Sequence, residues 1–192
     1  EDGFTPVYIA AEQGHEEMIK ALAAYGADVH TPNEEGDTPV LVAAQNGHVE
    51  VIKTLAALGA NVNTPCNDGS TPVYIAAQEG HMEAIKALAA LGADVDIPNN
   101  NGATPVYIAA QNGHVEAIKA LAALGADVDI PNNNGATPVY IAAQNGQVEG
   151  IKALAALGAD VNILNNNGAT PVYIAVQQGQ VEGIKALAAL GA

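Results

Sequence analysis

"NNNGATPVYIAAQNGHVEAIKALAALGADVDIP" runs from Asn99 to Pro131, and each part of it can be assigned a local conformation. The asparagines and Gly102 make a turn, because glycine takes positive φ freely and asparagine tolerates it better than most residues. Thr104 has the chemistry of an N-cap. Pro105 follows at the first helical position, where a missing N–H costs nothing. "VYIAAQ" continues a short helix and Gly113 stops it. "VEAIKALAAL" is a second helix, with Ile118, Leu121 and Leu124 three apart and expected on one face, and Gly125 stops it. "ADVDIP" reads as an extended return to the next turn.

The same pattern recurs along the chain. Thr-Pro stands at Thr5, Thr38, Thr71, Thr104, Thr137 and Thr170, and lysine at Lys20, Lys53, Lys86, Lys119, Lys152 and Lys185, every 33 residues in both series. Six units, approximately 1–32, 33–65, 66–98, 99–131, 132–164 and 165–192, cover all 192 residues as one array without a linker. A fixed period of this size predicts stacked repeats. Each helix is shorter than the roughly 12 residues at which isolated helices become marginal, so each must bury a face on its neighbour. The composition agrees, with one Phe, no Trp and an apolar content dominated by small side chains that suit thin layers.

The frame G-x-TP-x-x-x-AA-x-x-G, followed by a helix with leucine and then GA-x-V, resembles the ankyrin repeat in all six units. "TPVYIAAQNGHVEAIKALAALGADVD", Thr104 to Asp129, is the clearest copy. The resemblance implies an all-α solenoid of paired antiparallel helices with projecting β-turn fingers, curved around a concave, protein-binding groove. One departure stands out. Where the family usually carries histidine in its TPLH segment, this chain has Tyr8, Tyr74, Tyr107, Tyr140 and Tyr173, and Leu41 in the second unit. Their strict period favours a place in the scaffold over a place in the groove.

Net charge is −15, and all six cations are lysines. That argues against nucleic acid, whose binding needs cations to displace counterions, and against an anionic membrane surface. No window approaches the ~18 apolar residues of a membrane span. A lone cysteine, Cys66, excludes an intrachain disulfide, and there is no N-x-Ser/Thr sequon, so the expected setting is intracellular and cytoplasmic. The array ends mid-frame at Gly191-Ala192 without a change to polar residues, which suggests a piece of a longer array and weak end-to-end self-association as the alternative to a monomer.

Chemistry-bearing motifs are sparse. His15, His48, His81 and His114 keep the period, with Gln147 and Gln180 in the same place later. Helices of adjacent layers lie ~8–10 Å apart, too far for ligands of one zinc ion, so these residues are expected to be hydrogen-bonding turn residues. "DVDIPNNNG" at Asp94 and again at Asp127 is rich in oxygen but fails the calcium-loop spacing. Ser70 and Cys66 have no histidine one turn away in sequence, and there is no glycine-rich phosphate loop. No catalysis, cofactor or metal is expected. The six Glu-Lys pairs at i, i+3, such as Glu116–Lys119, read as a solvated back face.

Removing the frame leaves two sets of positions for a partner. The fingers offer Glu1, Asp2 and Phe4, then Glu34, Glu35 and Asp37, then Asn67, Asp68 and Ser70, then Asn100, Asn101 and Ala103. The ends of the first helices offer Glu12, Gln45 and Asn46, Gln78 and Glu79, Gln111 and Asn112, and Gln144 and Asn145. Residues 1–98 carry 15 acids and 3 lysines, a net of −12, whereas residues 99–192 carry 6 and 3, a net of −3. The reading is a non-catalytic protein-interaction module whose partner, if steered by charge, is basic and docks on the first three units. A structural solenoid without a dedicated partner and a regulatory segment of a larger enzyme are the alternatives.

Overall fold

Every first helix starts with the same device. Thr104 Oγ1 accepts the N–H of Tyr107 at 3.2 Å, and Pro105 occupies the first turn. The equivalent threonine does the same in the other five units. The computed structural model describes residues 3–192, so Glu1 and Asp2 of the first finger lie outside it. The first helices are α1 (Pro6–Glu12), α3 (Pro39–Gln45), α5 (Pro72–Glu79), α7 (Pro105–Asn112), α9 (Pro138–Gln144) and α11 (Pro171–Gln177). The second helices are α2 (Glu16–Ala24), α4 (Val49–Ala57), α6 (Met82–Ala90), α8 (Val115–Ala123), α10 (Val148–Ala156) and α12 (Val181–Ala189). No strand occurs among the described residues.

Each first helix packs on its own second helix and on the first helices before and after it, and second helices likewise stack on one another. First helices contact each other more extensively than second helices do, although they are shorter. A stack held closer along one row must curve toward that row, which makes the first helices the concave side.

The core is thin and continuous. Ile19, Ile52, Ile85, Ile118 and Ile151 are fully buried, as are Leu55, Leu88, Leu121, Leu154 and Leu187. The alanine pair of the first five first helices is buried to the backbone, and its lack of bulk lets neighbouring helices approach, whereas α11 has Ala175 and an exposed Val176. Leu124 departs from the expectation. It caps α8 outside the core and is exposed, as are Leu58, Leu91, Leu157 and Leu190 at the same place. Three-residue steps at 100° per residue fall 60° short of a turn each time, so Leu124 has rotated about 120° away from Ile118.

The second helices carry the lysines outward. Each pairs with the preceding glutamate, from Lys20–Glu17 to Lys185–Glu182, at 2.7 to 3.0 Å on exposed surface. Such pairs add only a few tenths of a kcal/mol each, so they solubilise the back more than they hold the stack.

Candidate groove between the fingers and the first helices

The fingers form a hydrogen-bonded rail. Asn100 donates its backbone N–H to the Asp68 carbonyl at 2.9 Å, and its Nδ2 donates to the Asn67 carbonyl at 3.1 Å. Asn67 treats Glu35 and Glu34 in this way, and Asn133 and Asn166 continue the rail. Gly36, Gly69, Gly102 and Gly135 make room for it: a Cβ on Gly102 would lie 2.7 Å from the Asn133 nitrogen.

A second set of links joins the ends of the first helices. His48, His81 and His114 place Nε2 at 2.9 to 3.0 Å from the carbonyls of Glu12, Gln45 and Gln78 in the preceding unit. Gln147 and Gln180 donate to Gln111 and Gln144 at 3.3 Å in the same geometry. The expected hydrogen-bonding role of these residues is therefore an inter-unit one. The amides of Asn112 and Asn145 also donate across, to the carbonyls of Gln78 and Gln111, while Asn46 turns back to Val42 in its own helix.

Tyrosine supplies a third link, one absent from the sequence reading. Asn99, Asn132 and Asn165 donate Nδ2 to the hydroxyls of Tyr74, Tyr107 and Tyr140, 25 residues earlier, at 3.1 to 3.2 Å. Asn33 reaches Tyr8 at 3.5 Å because its amide is shared with Asp37. All four rings are buried, so they belong to the scaffold, whereas Tyr173 in the last unit is exposed. Burial pushes the phenols of Tyr8, Tyr74 and Tyr107 up to about 12, helped at Tyr8 by Asp37 and at Tyr74 by Asp68. A signal for these links was present in the chain. Where Leu41 replaces tyrosine, Cys66 replaces asparagine at the matching offset.

Two finger positions must be withdrawn from the exposed set. Ser70 is 1% exposed and Ala103 5%, because in the third to fifth units the residue before Thr-Pro folds under its finger onto the first helix. Thr71 and Thr104 beside them are buried as well. Of the remaining candidates, Glu34, Glu35, Asp68, Gln45, Asn46, Glu79, Asn100, Asn101, Asn112 and Asn145 are exposed, and Glu12, Asp37, Gln78, Gln111 and Gln144 are half-buried. Exposure is not freedom, however. The side chains of Asn100, Asn112 and Asn145 serve the inter-unit rails, Asp37 shares the Asn33 amide and Asp68 Oδ1 holds its own finger, which leaves Glu12, Glu34, Glu35, Glu79, the glutamines and Asn101 as groups without a structural task.

These groups line a row of clefts between finger and helix. The first, about 410 Å³, lies over Tyr8 with Phe4 tilted against the ring at 5.1 Å and Glu12, Glu34 and Glu35 around it. The second, about 450 Å³, is bounded by Glu34, Glu35, Asp37 and Asp68 with Leu41 and Ile75 inside. The cleft over Tyr74 and Tyr107, about 410 Å³, is lined by amides such as Asn101, Gln111 and Asn134. The charge asymmetry of the sequence is thus an asymmetry of the groove.

The side chains with oxygen or sulfur chemistry are engaged structurally. Asp96 and Asp129 accept the N–H groups of Asp127 and Asp160 across units, and burial holds both carboxyls above the usual range. Cys66 donates its thiol to Asp68 Oδ1 at 3.0 Å. Burial, then that bond, pushes it up to about 11, which keeps it a poor nucleophile.

Stacked helix pairs, projecting fingers and a groove of inter-unit clefts define a helical repeat solenoid. The chain belongs to the ankyrin-repeat family: the family model described as "Ankyrin repeats (3 copies)" matches residues 1–66, 58–132 and 124–192. It is similar to the crystal structure of the human ASB11 ankyrin repeat domain, with a TM-score of 0.87 and 30% identity over 98% of this chain and 85% of that one. No match was found among curated proteins. Arrays of this family are generally protein-interaction modules, and the fold is typically non-catalytic. No helix among the described residues is long and apolar enough to cross a membrane.

Proposed function

We propose that the array is a non-catalytic protein-interaction module that holds a basic partner on the groove of its first three units. The observation that carries this reading is the division of labour among side chains. Every lysine sits on a second helix and pairs with glutamate there, whereas Glu34, Glu35 and Asp37 face the groove clefts without a cation. An uncompensated acidic groove raises the local concentration of a cationic partner and speeds its approach. The partner-contacting set is Glu12, Glu34, Glu35, Asp37, Gln45, Asp68, Gln78 and Glu79, with Asn46 at its margin.

The fourth and fifth units support a spacer role for the far half. They repeat one another almost residue for residue, and many of their amides serve inter-unit bonds. Asn101, Gln111 and Gln144 give that half a neutral groove with few anchors, since tight interfaces draw on Trp, Tyr and Arg.

A photo-crosslinkable residue placed at Gln78 tests the reading, with the same residue at Glu83 on α6 as the control. A saturable protein adduct at Gln78 and none at Glu83 is expected. Equal, unsaturable labelling at both positions would contradict it.

A further inference from the structure

The cleft between the second and third fingers has a different floor from its neighbours. At the junctions above it, a buried tyrosine hydroxyl accepts from an asparagine amide and fills that place with an internal bond. Here the matching residues are Leu41 and Cys66, and neither can make it. Leu41 has no hydroxyl, and Cys66 gives its proton to Asp68 in its own finger. What remains is a cleft of about 450 Å³ with Leu41, Cys66 and Ile75 as an apolar floor. Glu34, Glu35, Asp37 and Asp68 form its rim. Asp68 Oδ1 is occupied by the Ser70 N–H and the Cys66 thiol. No lysine pairs with any of the four carboxylates, since the ion pairs of the described residues all lie on second helices.

We propose that this cleft is a receptor for one lysine or arginine side chain of the protein partner. It rests on the interaction reading above and adds to it the place and the chemistry of an anchor. The aliphatic stem of such a side chain lies on Ile75 and Cys66, above the buried Leu41, and removes their remaining surface from water. Its cationic head reaches the rim, where hydrogen bonds between opposite charges are stronger than neutral ones. The other clefts differ from it in floor or in rim, although the first shares Glu34, Glu35 and Asp37 with it. The first has acids over a tyrosine and phenylalanine floor, and the later ones have amides over tyrosine. A hydrophobic side chain alone would leave four carboxylates crowded around it, and a small cation would leave the floor wet.

The test uses the intact array, labelled with nitrogen-15, and three blocked pentapeptides that differ only at the central residue. That residue is lysine, arginine or norleucine, in a Gly-Ala-Xaa-Ala-Gly context. Amide shifts should concentrate at Leu41, Cys66, Asp68 and Ile75 for the lysine and arginine peptides, with affinity about tenfold above the norleucine peptide. The double variant Leu41→Tyr/Cys66→Asn rebuilds the internal bond and fills the floor while keeping every acid. It should lose the localised shifts. Glu34→Gln/Glu35→Gln leaves the core untouched and should weaken both cationic peptides about tenfold. Shifts spread evenly over all acidic surfaces, or unchanged binding by either variant, would overturn the proposal. A partner that still crosslinks at Gln78 would then leave the interaction reading standing without this anchor. Loss of that crosslink as well would remove both.

Discussion

At the residue scale, this array is held by polar side chains that look free in the sequence. The tyrosine-asparagine bond is the clearest case. Tyr107→Phe removes an acceptor from the half-buried Asn132 amide and should cost about 1 kcal/mol in urea unfolding. Leu41→Tyr with Cys66→Asn should instead stabilise, and by more than the sum of the two single changes, because only the pair completes a bond. The phenols also set an alkaline limit. Their folded pKa values of about 12 lie above the ordinary 10.0, so the folded state holds protons that the unfolded chain releases. The associated stability is full below pH 10 and is lost as pH rises from 10 toward 12. In a Tyr25→Phe/Tyr173→Phe background, which removes the two exposed rings, tyrosine absorbance and helical circular dichroism should therefore change together in that window. Separate transitions would contradict the buried placement.

At the element scale, the caps and stops were legible because their causes are local. Thr-Pro, the alanine pair and the two glycines act within one turn of backbone, and each helix begins and ends where they direct. What lay beyond local reasoning was anything decided by the neighbouring unit. Asn100 and Asn112 are exposed polar residues in sequence terms, yet stacking brings each amide to a carbonyl 33 or 34 residues away. Ser70 and Ala103 precede a cap and read as finger residues, but the finger folds over them. The offset of 25 linking tyrosine to asparagine was visible only as a paired departure at Leu41 and Cys66. One element carries an unused margin. Gly150 lies inside α10, where the third and fourth units have the buried Ala84 and Ala117, and a Cβ there would meet only ordinary contacts, the nearest at 3.5 Å. Gly150→Ala should raise stability by about 0.5–1 kcal/mol. Gly102→Ala, at φ 77° and against the Asn133 backbone, should lower it. Denaturant midpoints of the two variants decide the point, and a gain from Gly102→Ala would refute the close fit of the finger rail.

At the scale of the whole molecule, the stack separates three surfaces by charge. The convex side balances lysine against glutamate, the far groove is neutral amide, and the near groove is acidic. Fold and period follow from a single unit, but this separation depends on which acids have cations beside them once the helices are stacked. The most direct measurement compares two variants that remove the same three negative charges and titrates each with the partner captured at Gln78 over a range of salt. One is Glu34→Gln/Glu35→Gln/Asp37→Asn in the groove, and the other is Glu50→Gln/Glu83→Gln/Glu116→Gln on the convex side. The groove variant should bind about tenfold more weakly with a flatter salt dependence, while the convex variant should match the parent. Equal losses in both variants would mean that net charge alone attracts the partner, and would contradict a docking groove on the first three units.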